Sequence, residues 1–130
     1  MKRIVIDFVP QYKQDYETVG NYGETDHNIW FKITDFPDHP EYSIAILLHE
    51  IWEFYRNQQE GISIEAVDAF DYSHPELDDP GFSKEAPYHK THMEADVIER
   101  QYIIASGGDW VDYEEAVNSL FSICKLRGQL

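Results

Sequence analysis

In the stretch "LLHEIWEF", residues 47–54, a His-Glu pair is followed three residues later by a second glutamate. If the stretch is helical, His49 and Glu53 are neighbours, because residues four apart meet on one side of a helix. An imidazole and a carboxylate so placed can hold one divalent cation, while Glu50 is left to act as general base on a water. The pattern is H-E-x-x-H with a carboxylate in place of the second imidazole. That exchange keeps two ligands and makes the site harder and more anionic, which zinc tolerates and manganese or iron favour. The competing reading is a solvated helix back. On a helical wheel His49, Glu50, Glu53 and Arg56 fall opposite a stripe of Ile44, Leu48, Ile51 and Tyr55.

A second set of ligand-type residues lies in "APYHKTHMEADVIERQY". His89, His92, Asp96 and Glu99 recur at i, i+3, i+7 and i+10 and form one ladder along a helix face. Met93, Val97 and Ile104 flank it on one side, and Ala95, Ile98 and Tyr102 on the other. A narrow polar stripe between apolar flanks is expected where ionisable groups face inward and must find partners. His92 or His89 would then complete the set begun by His49 and Glu53. The alternative is a salt-bridged stripe using Lys90 or Arg100. Between the two helices, "VDAFD" places Asp68 and Asp71 three apart. Asp71 could be a further ligand or a partner that orients an imidazole; acids near a helix start also serve the macrodipole alone.

These side chains must be positioned by elements whose outlines can be read. "RIVIDFV" (Arg3–Val9) is apolar and β-branched, and "NIWFKITDF" (28–36) alternates with a period of two, so both read as strands. The turn-rich "GNYGETDH" between them implies a hairpin or a long-looped antiparallel pair. Helices follow at about 41–58, with Ile44, Leu47, Leu48, Ile51, Trp52 and Tyr55 as its apolar face, and at 64–72, capped by Ser63. A third begins near Pro87 and is closed by Gly107-Gly108; a fourth is capped by Asp109. The expected fold is α+β: a small N-terminal antiparallel sheet (1–36) followed by three to four helices (41–127), as a single domain over 1–130.

Composition narrows the function classes. Ten Lys and Arg stand against 25 Asp and Glu, a formal net charge of −15. A chain so acidic is expected to bind neither nucleic acid nor anionic lipid, since both require basic clusters. A carboxylate-rich site collecting cations, or a surface that meets a basic protein partner, remains. The 15% of aromatic residues is globular composition and compatible with a homodimer. No apolar run reaches the roughly 18 residues of a membrane span, the start lacks a signal-peptide pattern, and Cys124, the lone cysteine, reads as a core thiol. The expected compartment is the cytoplasm.

The motifs also carry resemblances. E50-x-x-E53 followed by D68-x-x-D71 resembles the paired acidic motifs of all-α nucleotide pyrophosphohydrolases of the MazG type, which implies magnesium held against a triphosphate. "LLHEIWEF", "GISIEAVDAFD" and "APYHKTHMEADVIERQY" together resemble a set of small bacterial and bacteriophage proteins. Those share a His-Glu-x-x-Glu helix, a Val-Asp-x-Phe-Asp element and a Pro-Tyr-His-x-x-His segment, over residues 42–102. The arrangement is similar in outline to zincins, which implies an edge strand, here "WFKITDF", beside the active-site helix and a third ligand from a later segment. The leading expectation is a metal-binding protein, zinc foremost, acting as a zincin-like hydrolase. The others are a non-enzymatic acidic interaction protein and a MazG-like pyrophosphohydrolase.

Overall fold

The computed structural model describes residues 2–128, with side chains as far as Phe121. Its order is β1 (Arg3–Val9), β2 (Gly20–Glu24), β3 (Asn28–Thr34), α1 (Pro40–Gln59), α2 (Ile64–Ser73), α3 (His89–Ala105) and α4 (Trp110–Gly128), with a short 3-10 turn at Pro80–Phe82. This is the expected α+β arrangement, a three-stranded sheet followed by four helices. Ser63 caps α2 by accepting from the Ala66 N–H, and Asp109 does the same for α4 from the Asp112 N–H. Cys124 lies outside the residues whose side chains are described.

The sheet differs from expectation in its pairing. Its order is β1-β3-β2. β2 and β3 form the antiparallel hairpin, whereas β1 lies parallel to β3, with Ile4 beside Ile29, Ile6 beside Phe31 and Phe8 beside Ile33. "WFKIT" is therefore the central strand, not an edge. The missed element is β2, whose glycines and asparagine imitate a turn. The glycines are there because neighbours come close. A Cβ on Gly23 would stand 2.3 Å from the Trp30 ring, and one on Gly20 would stand 2.6 Å from Glu50 Oε1.

The face of α1 is the second correction. Ile44, Ile51, Trp52 and Tyr55, expected to pack inward, are exposed. The buried face carries Tyr42, Ala45, Ile46, Leu47 and Phe54 together with His49, Glu53 and Asn57. Phe54 packs edge-on to Tyr22 and Phe31 at centroid distances of 5.6 and 5.8 Å, fixing the helix to β2 and β3. On its other side α1 packs along α3. The polar residues of α1 are thus enclosed between sheet and helix, where each must find a partner.

Candidate metal centre

Enclosure brings His49 and Glu53 of α1 against His92 of α3, and all three are buried. His49 Nε2 lies 3.3 Å from Glu53 Oε2 and 3.3 Å from His92 Nδ1, while His92 Nδ1 lies 2.8 Å from the same Glu53 oxygen. Ligand atoms about 2.1 Å from one ion stand roughly 3.0–3.4 Å from each other, so this triangle is close to metal-sized. Two further groups adjoin it: His49 with Asp96 and Glu99, and His92 with Asp79 and Asp96. In each group the ligand atoms lie within 4.8 Å of one another.

Around the triangle each residue is held from behind. Asp79 Oδ1 stands 3.0 Å from His92 Nε2, and Glu99 Oε1 stands 2.7 Å from His49 Nδ1. The Glu99 oxygen lies off the imidazole N–H direction. His49 Nδ1 is therefore a buried nitrogen in ionic contact but without an aligned hydrogen bond. The Tyr113 hydroxyl donates to the other oxygen of Glu99. Glu53 Oε1 accepts from the Tyr22 hydroxyl at 2.9 Å, the Tyr22 oxygen accepts from Asn57 Nδ2 at 3.2 Å, and Thr91 donates to Asn57. A ligating imidazole usually gives its second nitrogen to a carboxylate or carbonyl, and both histidines face carboxylates in that way.

Electrostatics follow from burial. Burial alone would lower the histidines, but Asp96, Glu53 and Glu99 hold His49 well above its ordinary value, and Asp79 and Glu53 hold His92 up at about 10. Burial would likewise raise Glu53, yet the two imidazoles pull it down to about 2. Glu50 is compensated less: burial and then the Glu53 charge push its carboxyl up to about 8, and the attraction of the His49 and His92 imidazoles, with no hydrogen bond to either, offsets only part of that rise. Metal-free, the cluster is a proton-bearing salt bridge; an ion of charge +2 can take the place of the protons.

A cavity of about 250 Å³ opens on the cluster, bordered among others by Tyr16, Gly20, Glu50, Asp68, Asp71 and Tyr88. Of the residues expected at the site, His49, Glu53 and His92 come together and Glu50 lines the same cavity. Asp71 also lines it, held by the hydroxyls of Tyr88 and, at 3.4 Å, Tyr16, and it belongs to none of the three groups. His89 turns away, with Nδ1 3.0 Å from the Gly81 carbonyl. Sequence reasoning did not foresee Asp79 or Tyr22. Asp79 stands in a loop whose only signal is "DDPGF", where Gly81 lets the chain pass directly against His92.

That passage is tight: a Cβ on Gly81 would stand 2.4 Å from the His92 ring. Gly81→Ala must displace either the loop or the imidazole. It is expected to lower zinc affinity by roughly 10–100-fold, the usual effect of disturbing a ligand's support, with the secondary structure intact by circular dichroism. A competition titration with a zinc indicator measures it.

No protein-family model, curated protein or solved structure matches the chain significantly. No helix among the described residues is long and apolar enough to cross a membrane.

Proposed function

We propose that the protein is a metal-dependent hydrolase with a single ion held by His49, Glu53 and His92. The observation that carries this reading is the metal-sized triangle of ring nitrogens and carboxylate oxygen, with Asp79, Glu99 and Tyr22 supporting its members from behind. Two imidazoles and one carboxylate suit zinc, with iron or manganese as the other ions such a set accepts. Three protein ligands leave room for a water, whose acidity the ion would raise. Glu50 is the general base in this scheme. It lines the same cavity as the ligand set without joining it, and an ion bound beside it would draw its carboxyl down from about 8 into the neutral range suited to taking and returning a proton.

The zincin-like outline is supported by the His-Glu-x-x-Glu helix and by a third ligand from a later helix, with β2 as the neighbouring edge strand. The cavity favours this reading over a triphosphate site. No lysine or arginine among the described residues borders it, and nothing there would offset phosphate charge beyond the ion itself.

The test is metal content by mass spectrometry of protein purified without added metal or chelator, followed by a panel of esters, peptides and amides. Zinc, iron or manganese near one per chain is expected, with hydrolysis that Glu50→Gln abolishes while the metal stays. Absence of metal, or activity unaffected in Glu50→Gln, would overturn the reading.

A further inference from the structure

We propose that the outer edge of β1 is the interface of a homodimer, in which two copies of the strand pair antiparallel about a two-fold axis at Ile6. The register with β3 fixes which way β1 faces. Ile4, Ile6 and Phe8 lie beside Ile29, Phe31 and Ile33, and Phe31 and Ile33 are fully buried beneath α1. The β1 side chains point to the same side of the sheet, but α1 lies over β3 and β2 and leaves Ile4, Ile6 and Phe8 at 50%, 40% and 45% exposure.

The backbone is equally open. The Arg3 N–H donates to the His27 carbonyl and the Val9 carbonyl accepts from the Asp35 N–H. The odd residues of β1 therefore bond towards β3, and the N–H and C=O groups of Ile4, Ile6 and Phe8 point to the free edge. No described strand pairs with that edge. On its inward face β1 lacks the devices that keep edges solitary: the strand has no proline and no bulge, its charged Arg3 and Asp7 lie on the opposite face, and the inward-facing row is wholly apolar.

A second copy of this chain fits the edge better than another partner because the edge is complementary to itself. Centring seven residues on Ile6 sets Ile4 opposite Phe8 of the other copy and Ile6 opposite Ile6. The outward backbone groups then meet as hydrogen-bonded pairs, and every side chain on the shared face is apolar. Ile44, Ile51 and Tyr55 of α1 are the exposed apolar sector next round the helix from its contact with β3. Six large side chains exposed by 36% to 56%, at roughly 200 Å² each when fully exposed, leave about 500 Å² per protomer. With the strand backbone this approaches the ~800 Å² per partner of a standard interface. In a chain of charge −15, this sector carries no carboxylate on its inward face; Asp7 lies on the opposite side, beside Lys32.

Analytical ultracentrifugation of the metal-loaded chain tests this. The wild type is expected at twice its 15.3 kDa, with the dimer strengthened by salt because screening relieves repulsion between two acidic bodies. Ile6→Glu, which sets two carboxylates face to face at the axis, is expected to weaken dimerisation by about 100-fold or more. Ile6→Pro removes the outward N–H, which β3 does not use, together with the Ile6 side chain at the axis, and should do the same while keeping the β1–β3 hydrogen bonds. Amide hydrogen exchange on the wild type gives an independent reading, free of any folding defect in the variants: Ile4, Ile6 and Phe8 are protected in the dimer and exchange fast in a monomer. A wild type monomeric up to about 100 µM, a dimer unaffected by both variants, or fast exchange at the three amides would each overturn the proposal.

Discussion

Replacing His49 by alanine is expected to lower the affinity for zinc by more than about 100-fold, beyond the roughly 10–100-fold lost when only the support of a ligand is removed. His49 is the hinge of the cluster. Its Nε2 meets Glu53 and His92, and its Nδ1 faces Glu99 and Asp96, so one substitution removes a ligand and uncovers carboxylates on both sides. The metal-free variant should also lose stability, by about 3–5 kcal/mol, because breaking a buried ionic cluster leaves charge without compensation. His89→Ala is the control. Its ring is outside the ligand set but bonds to the Gly81 carbonyl in the loop beside His92, and the loss of zinc affinity there should stay within the roughly 10–100-fold of a disturbed support. Calorimetric titration of both variants checks this. Equal losses in the two, or none in either, would show that the ion, if bound, is held elsewhere.

Titrating the metal-free protein gives the second large effect. Against the opposing influence of burial, the surrounding carboxylates keep His49 raised and His92 at about 10. Both lie above the roughly 6.5 of an unfolded histidine, so in the interval the folded chain binds more protons than the unfolded one. Their contribution to stability is complete below about pH 6.5 and is lost as pH rises through each raised folded value, about 10 for His92. Glu50, lifted to about 8 from its ordinary 4.5, acts in the same direction, its contribution being lost between those two values. Glu53, lowered to about 2, acts in the opposite one: its contribution is lost only as pH falls from 4.5 towards 2. Urea denaturation in chelator should therefore show stability falling by several kcal/mol, to order of magnitude, between pH 6.5 and 10. With zinc present the dependence should weaken or invert, since the ligands shed protons to bind and affinity rises with pH. A metal-free protein whose stability is flat over that window would show that these imidazoles do not titrate against these carboxylates.

Much of this site was legible in the residues, and the errors have physical causes. The spacing of His49 and Glu53, and the ladder through His92, Asp96 and Glu99, follow from helix geometry, so their convergence needed only two helices packed face to face. What spacing cannot give is the direction in which a helix turns. On α1 the stripe Ile44, Leu48, Ile51 and Tyr55 is more apolar than the face that is buried, and hydrophobicity alone selects the wrong side. The inward face is decided by contacts from other elements: the Tyr22 hydroxyl for Glu53, Thr91 for Asn57, and the rings of Tyr22 and Phe31 for Phe54. β2 was hidden for a related reason. Its glycines reflect the nearness of Trp30, Glu50 and Ile46, which no local propensity records. Asp79 reaches His92 from a loop, where sequence carries no periodicity to read.

The strand order β1-β3-β2 also sets an order of assembly. β2 and β3 are joined by a three-residue connection, from Glu24 to Asn28, so their hairpin closes a short loop and can form within microseconds. β1 pairs with β3 at a separation of 25 residues, Arg3 with Asn28. Its parallel ladder cannot begin until a much longer loop has closed and β3 is in place. Of the helices that enclose the ligand cluster, α1 packs on β2 and β3 and α3 packs on α1, and the nucleus for the site can therefore be complete before the N-terminal strand docks. Substitutions in β1 should accordingly alter the unfolding rate more than the folding rate, while those in the β2–β3 hairpin should slow folding itself.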